Sequence, residues 1–413
     1  MIKNRKLRKY LIIFLLIPFI ELQTYTMLVE YGFKPAFFNM ILSIYSALRL
    51  LITLCIAIVI IRRRTIKPSY TVIAVFALIT FENIASAING SLYLNYTIGS
   101  LTYIGLALLS QFEIQNHKAD FIWACKYLFG LLSIAGALQI ILMPHGYFNH
   151  GNKAYAIYLL GSKNSSFFYY IVFLFFLFFD DLYKYKIIRL RSIAFIVLFA
   201  YAAVQCESMN TLMMMLLTLV LTVIINYGKV LKHFVRPSVI VTTAVLIAIV
   251  IVNPGTRIVL TPILNLIGRD TSFTGRDVLW IQAIDVFKKH PLFGNGIQTE
   301  YLLATGVWQK TAHSHFLDLL SKYGIFVLLS FIAMPVFAMG RMIHNKENNK
   351  QLLALKCSVC FIVLFHSIID HMLTYEYIIL MTSVELLSFN PNIQVLTIPS
   401  LNRIITRRKV IYE

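Results

Sequence analysis

Charge is what this sequence has least of. Asp, Glu, Lys and Arg make up 13% of its 413 residues, about half the fraction usual in soluble proteins. Apolar and aromatic residues make up 59%, and the mean hydropathy is +0.75. An ordinary aqueous surface cannot be built from that composition, which excludes a multi-domain soluble enzyme. Acidic residues are scarcer still, 18 against 37 basic, and leave a formal net charge of +19. On a soluble chain that excess would point to nucleic acid. In so apolar a chain it reads as Lys- and Arg-rich cytoplasmic loops that orient membrane spans, and no nucleic-acid partner is expected. Cysteine is sparse, odd in number and scattered (Cys55, Cys125, Cys206, Cys357, Cys360). The lone CxxC at 357–360 lacks the second pair or neighbouring histidines of a metal or redox site. The sequence also has no nucleotide-binding glycine loop, heptad, low-complexity tract, internal repeat or DxD-like metal site in an aqueous segment.

What it has is apolar runs, recurring from Leu11 to Leu387. That excludes a single-span receptor. A helix crosses a bilayer with about 20 apolar residues, and on that ruler spans fall near 11–29, 38–61, 69–88, 96–112, 121–143, 166–181, 192–206, 209–226, 237–253, 316–339, 352–370 and 376–389. The expectation is an all-α polytopic membrane protein of about 12 transmembrane helices. No small-x-small cleavage site follows the first run, and Glu21 and Gln23 interrupt it, so it reads as a retained span. With both termini on the cytoplasmic side, the seven cytoplasmic segments hold 24 of the 37 Lys and Arg residues, as orientation by positive charge requires.

Two outer segments are too long for turns: 144–165, and 254–315 between spans 9 and 10. The chain thus divides into N-terminal helices (1–253), a large outer loop (254–315), and C-terminal helices with a basic tail (316–413). Loops this long are usually functional or disordered. The second carries Trp280, Trp308 and helical periodicity over 278–287, so one or two helices against the outer membrane face are expected there. It also carries Arg257, Arg269 and Arg276 on the side that the charge rule disfavours. A guanidinium fork donates paired hydrogen bonds to phosphate oxygens, and Arg276 is the foremost candidate for that contact. Glycines before Arg269 and Arg276 would permit tight turns. His313 and His315 precede the return to the membrane. Either could take a proton from a hydroxyl nucleophile near neutrality, and nothing in the residues alone chooses between them.

Gly275-Arg276, Trp280, Pro291-Leu-Phe-Gly294-Asn-Gly296, Ala312-His313-Ser314 and Tyr323-Gly324 together resemble the signature of the Wzy-type polysaccharide polymerase and O-antigen ligase superfamily. There the pattern is SGR, a tryptophan, a P-x-x-G-x-G turn, HN and a later glycine. Arg269-Asp270-Thr271-Ser272 and Gly161-Ser162-Lys163-Asn164 resemble segments of its capsule-polymerase branch. Ser314 stands where the family usually has Asn, and Glu207-Ser208-Met209-Asn210 where it often has a basic residue. The resemblance implies a GT-C-type glycosyltransferase at the outer face of a bacterial cytoplasmic membrane. Its donor and acceptor would be undecaprenyl-pyrophosphate-linked oligosaccharides; no metal and no cofactor are implied, and a chain-length regulator is a candidate partner. Carried over by position, Arg276 would contact the donor pyrophosphate and His313 would activate the acceptor or assist the leaving phosphate. Arg257, Arg269, Lys163 and His315 would line the substrate site.

Near the end of a late span, His366 and Asp370 stand four residues apart, on one helix face. They read equally as a structural ion pair and as lining of the acceptor site, with Asp370 a second candidate base. Glu82-Asn83 and Glu21 raise a similar question, because ionisable groups within a bilayer usually face a cavity or a partner. Two other functions compete with polymerisation. A ligase would use the same donor and a different acceptor. A flippase or transporter would be expected to show two related halves, which this sequence does not.

Overall fold

The computed structural model describes residues 4–20, 36–63, 68–147, 156–227, 237–262, 275–297, 302–304, 307–309, 311–344, 350–372 and 374–387. Glu21, Arg269 and the basic tail lie outside them. The helices are α1 (Arg5–Leu16), α2 (Ala36–Arg63), α3 (Tyr70–Ile88), α4 (Leu94–Leu142), α5 (Ser166–Tyr185), α6 (Leu190–Gln205), α7 (Met209–Tyr227), α8 (Pro237–Val252), α9 (Arg276–Lys289), α10 (His315–Tyr323), α11 (Ile325–His344), α12 (Lys350–Ile369) and α13 (Thr374–Leu386). Among the described residues, six helices are long and apolar enough to cross a membrane; α6, α8 and α11 are shorter apolar helices. The protein is mostly helical, as a polytopic membrane protein is.

A helix that is apolar all round belongs in the interior. The aromatic run of α5 does this: every residue from Ser166 to Leu182 is buried. α12 lies beside it with most of its length buried. At the other extreme, only 6% of the most apolar window of α2 is buried, which makes it a rim helix.

Helix α4 has 49 residues, about 74 Å if straight, more than twice the roughly 30 Å of a bilayer core. It breaks at His117, whose φ and ψ are not helical. Contacts reveal a reversal of direction there. Tyr96 meets Tyr323 at 3.1 Å at one end of the bundle. Gln111 accepts from the Ser69 amide, and Asp120 pairs with Arg5, at the opposite end. Gln139 accepts from the Leu159 amide back at the first end. The two limbs match the separate spans expected at 96–112 and 121–143.

α1 begins earlier than the apolar run predicts. Asn4 caps it by accepting from the amides of Lys6 and Leu7, and Arg5 and Arg8 are drawn onto Asp120 at 2.9 and 3.5 Å. The single span expected over 316–339 needs a larger correction, because Gly324 at φ 83° divides α10 from α11. The Pro291–Gly296 turn causes the break. The amides of Asn295 and Gly296 donate to the carbonyls of Ser321 and Lys322, and the Ile325 amide donates to Pro291. A Cβ at Gly324 would lie 2.2 Å from the Leu292 carbonyl oxygen, and one at Gly294 2.3 Å from the Lys322 carbonyl carbon.

Within 254–315, the periodic stretch forms α9, and a short antiparallel ribbon pairs Leu302–Ala304 with Val307–Gln309 without altering the helical build. Gln282 of α9 fixes that ribbon by bonding both the carbonyl and the amide of Leu303.

Candidate active site at one end of the bundle

α9 starts at Gly275, whose φ of 80° suits glycine at that cap. Four residues separate Arg276 from Trp280, so both project from one face of α9. The Trp280 indole, fully buried, donates to the Ala312 carbonyl at 2.9 Å. The Ala312 amide donates to Asp318 at 2.8 Å. The turn holding His313 is therefore clamped from both sides. Ser314 caps α10 by accepting from the Leu317 amide, a task that Ser and Asn share, which accounts physically for serine at that position. His313 itself lies before the helix at φ 51°. Non-glycine residues seldom adopt that backbone, and such strain concentrates at functional sites. His313 thus belongs to the turn, whereas His315 is the first residue of α10.

Asp370, just past α12, is the hub. Its Oδ2 accepts from Asn164 at 2.5 Å and from Asn210 at 3.2 Å, and lies 3.7 Å from Arg276 Nη2. Its Oδ1 accepts from the His371 amide, and its carbonyl from the His315 amide. Asn164 precedes α5 and Asn210 opens α7, so three helices meet at one carboxylate. Ser208 donates to Asn164 Oδ1 at 2.7 Å, which turns the Asn164 amide toward Asp370. Arg276 Nη1 donates to the Ile369 carbonyl. A guanidinium has five N–H groups; both terminal nitrogens of Arg276 are engaged, one by the hydrogen bond to Ile369 and one by the ion pair with Asp370, with its side chain 24% accessible.

His313 lies within electrostatic reach of Arg276, Asp370 and His371; burial first, and then the Arg276 charge, hold its pKa below the ordinary imidazole value of 6.5. It is therefore a neutral base at neutral pH. The ring of His315 is buried against Phe331 and 5.5 Å from His371, and among the described residues its Nδ1 has no hydrogen-bond partner. His366 does not pair with Asp370. Its ring stacks on Phe167 at 4.3 Å and meets Phe168 edge-on, and among the described residues neither nitrogen has a hydrogen-bond partner. Lys163 sits in the turn beside Asn164. Arg257 lies in a single helical turn, Pro254–Arg257, and its side chain is outside the described residues.

Of the residues singled out from sequence, the fold gathers Arg276, His313, His315, His366 and Asp370 at one end of the bundle. Asn164, Ser208 and Asn210 were missed, although all three lie inside segments quoted in comparing the sequence with that family. Glu82 turns out to accept from Tyr96, itself bonded to Tyr323 at the end of α10.

Fold and site together define a multi-pass helical membrane protein with an arginine–histidine–aspartate cluster at one end. The O-antigen ligase family model matches residues 194–332, about a third of the chain. The matched segment holds Asn210, Arg276, His313 and His315, whereas Asn164 and Asp370 lie outside it. Comparison with curated proteins gives no match. The similarity supports the O-antigen ligase and polymerase superfamily, and with the apolar helices it supports a membrane enzyme of polysaccharide assembly.

Proposed function

We propose that this protein is a glycosyltransferase that polymerises undecaprenyl-pyrophosphate-linked oligosaccharide repeat units into a surface polysaccharide. It works at the outer face of a bacterial cytoplasmic membrane, with both termini in the cytoplasm. The observation that carries this reading is Arg276, braced by Asp370 and the Ile369 carbonyl beside a neutral His313.

In such a reaction the bond between the donor sugar's anomeric carbon and the pyrophosphate oxygen breaks. A new bond forms from that carbon to an acceptor hydroxyl oxygen. Pyrophosphate is a good leaving group, so the protein has to neutralise its developing charge and aim the nucleophile. Arg276 performs the first task with its unspent N–H groups. His313 performs the second by accepting the hydroxyl proton, a role that requires a neutral imidazole. Asp370 is a positioning residue: both its oxygens already accept hydrogen bonds, so holding Arg276 suits it better than serving as the base.

A ligase reading draws on the description of the matched family, and the site chemistry serves it equally. The test is reconstitution of the purified protein with a lipid-pyrophosphate-linked repeat unit. A ladder of glycans is the expected product. A single transfer onto a different acceptor lipid would favour ligation, and carriage of intact donor between leaflets without cleavage would overturn transfer altogether.

A further inference from the structure

Arg49 stands inside the apolar stretch Met40–Arg62 of α2. At 1.5 Å per residue it lies about 14 Å from one end of that stretch and about 20 Å from the other. A cation at such depth normally faces a partner or serves a function. Its guanidinium donates to the Tyr45 carbonyl, to Ser46 Oγ and, at 2.6 Å, to the Tyr375 hydroxyl. All three acceptors are neutral, and among the described residues no carboxylate pairs with Arg49. The Tyr375 ring centroid lies 5.2 Å from the guanidinium carbon. These contacts fix the group in place and engage three of its five N–H groups, and among the described residues its charge has no carboxylate partner.

The placement is built into the packing. One turn beyond Arg49, Thr53 closes on Gly105 of α4, where a Cβ would lie 2.0 Å from Thr53 Oγ1. The Tyr375 hydroxyl is also 2.8 Å from Thr102 Oγ1 of the same limb. From its backbone the Arg49 side chain runs back toward Tyr45 and Ser46, that is, toward the Arg276 end of the bundle, as a snorkelling arginine does. Only 6% of that apolar stretch is fully buried and Arg49 itself is partly exposed, so the cation can be reached from the flank of α2. A ligand that fits must be anionic, must carry an apolar tail, and must arrive within the plane of the bilayer.

We propose that Arg49 binds the phosphate of a second membrane lipid, at a station separate from Arg276. A guanidinium fork matches phosphate oxygens in pairs, and a charge in an apolar setting with no carboxylate partner among the described residues gives that match its strength. Tyr375 follows Asp370 by five residues, a reach of at most about 18 Å, so the two stations are neighbours. On the polymerase reading, on which the lipid's identity rests, this lipid is the carrier of the acceptor; the same chemistry would also take an anionic phospholipid headgroup.

The experiment uses full-length protein in phosphatidylcholine nanodiscs doped with undecaprenyl pyrophosphate or with phosphatidylglycerol, and counts retained lipids by native mass spectrometry. Wild type is expected to retain one phosphorylated lipid more than Arg49→Gln, with occupancy falling at least tenfold in the variant. Arg49→Lys restores part of it, and Tyr375→Phe keeps it. Loss confined to undecaprenyl pyrophosphate identifies the acceptor carrier, and loss confined to phosphatidylglycerol identifies a headgroup site. Equal retention by wild type and Arg49→Gln with both dopants overturns the proposal. So does a result in which Arg49→Gln and Tyr375→Phe lose lipid and melting temperature alike, because that marks a packing role. Carriage of intact donor between leaflets without cleavage would sink the transferase reading and leave this lipid count untouched.

Discussion

The two ends of the helix bundle treat their buried aspartates differently. At the end away from Arg276, each buried aspartate has two cations: Asp120 has Arg5 and Arg8, Asp180 has Lys126 and Lys184, and Asp181 has Arg189 and Arg191. Asp181 also accepts from Ser192 and the Arg189 amide. There, the anion is saturated and the pairs staple helices. At the other end Asp370 is shared by two neutral amides and one arginine 3.7 Å away. The carboxylate is satisfied mostly by groups without charge, so the arginine beside it keeps donors to spare. A saturated pair holds structure, and an arginine braced without being saturated can serve an anionic ligand.

That contrast breaks most visibly at His313, the base proposed above. His313→Ala is expected to lower transfer by about 10²–10⁴-fold, the usual contribution of a positioned acid–base group, with His315→Ala affecting transfer far less. The reverse order would move the base two residues along. The sign of the pH effect follows from the lowered pKa of His313. Its imidazole resists protonation as pH falls through 6.5, so the rate should hold level there and decline only in more acid solution. A rate already halved at pH 6.5 would contradict a depressed value.

Paired substitutions at the two hubs sharpen the contrast. Asp370→Asn should keep the fold and cost transfer about 10²-fold, the scale of a misplaced catalytic group. Asp181→Asn should leave transfer per folded molecule unchanged and lower stability by about 2 kcal/mol, because its two arginines are partly solvated. Denaturation in detergent and initial rates at equal folded concentration separate these outcomes.

Much of this was legible beforehand, for identifiable reasons. Apolar runs marked the long helices, and the 3.6-residue period over 278–287 marked α9. The order Arg276, Trp280, His313 marked one end of the site. The division at Gly324 was not legible, since the partner that forces it is the backbone of 291–296, which has no periodic signature. Asn164 and Asn210 were passed over because neutral amides carry neither charge nor hydropathy signal, and Lys163 drew attention within the same segment. The i,i+4 rule paired His366 with Asp370, but Phe167 and Phe168 from another helix claim the imidazole face. Arg49 was passed over, although an arginine inside an apolar run is itself a signal.

Gly324→Ala tests the hinge between α10 and α11. A Cβ there would meet the Leu292 carbonyl at a left-handed φ. The expected loss of about 2–4 kcal/mol should appear as a fall in melting temperature, and an unchanged melting temperature would show that the 291–296 turn can yield. The smallest effect belongs to Lys288, whose pair with Asp285 is exposed on both sides. Lys288→Ala should change stability by less than about 0.5 kcal/mol and transfer not at all.

The most direct measurement is release of free undecaprenyl pyrophosphate in a single turnover, comparing wild type, Arg276→Ala and Asp181→Asn at equal folded concentration. Release abolished in Arg276→Ala and retained in Asp181→Asn is the predicted result. Release by Arg276→Ala at the wild-type rate would mean that the donor is cleaved somewhere other than the Arg276 end of the bundle.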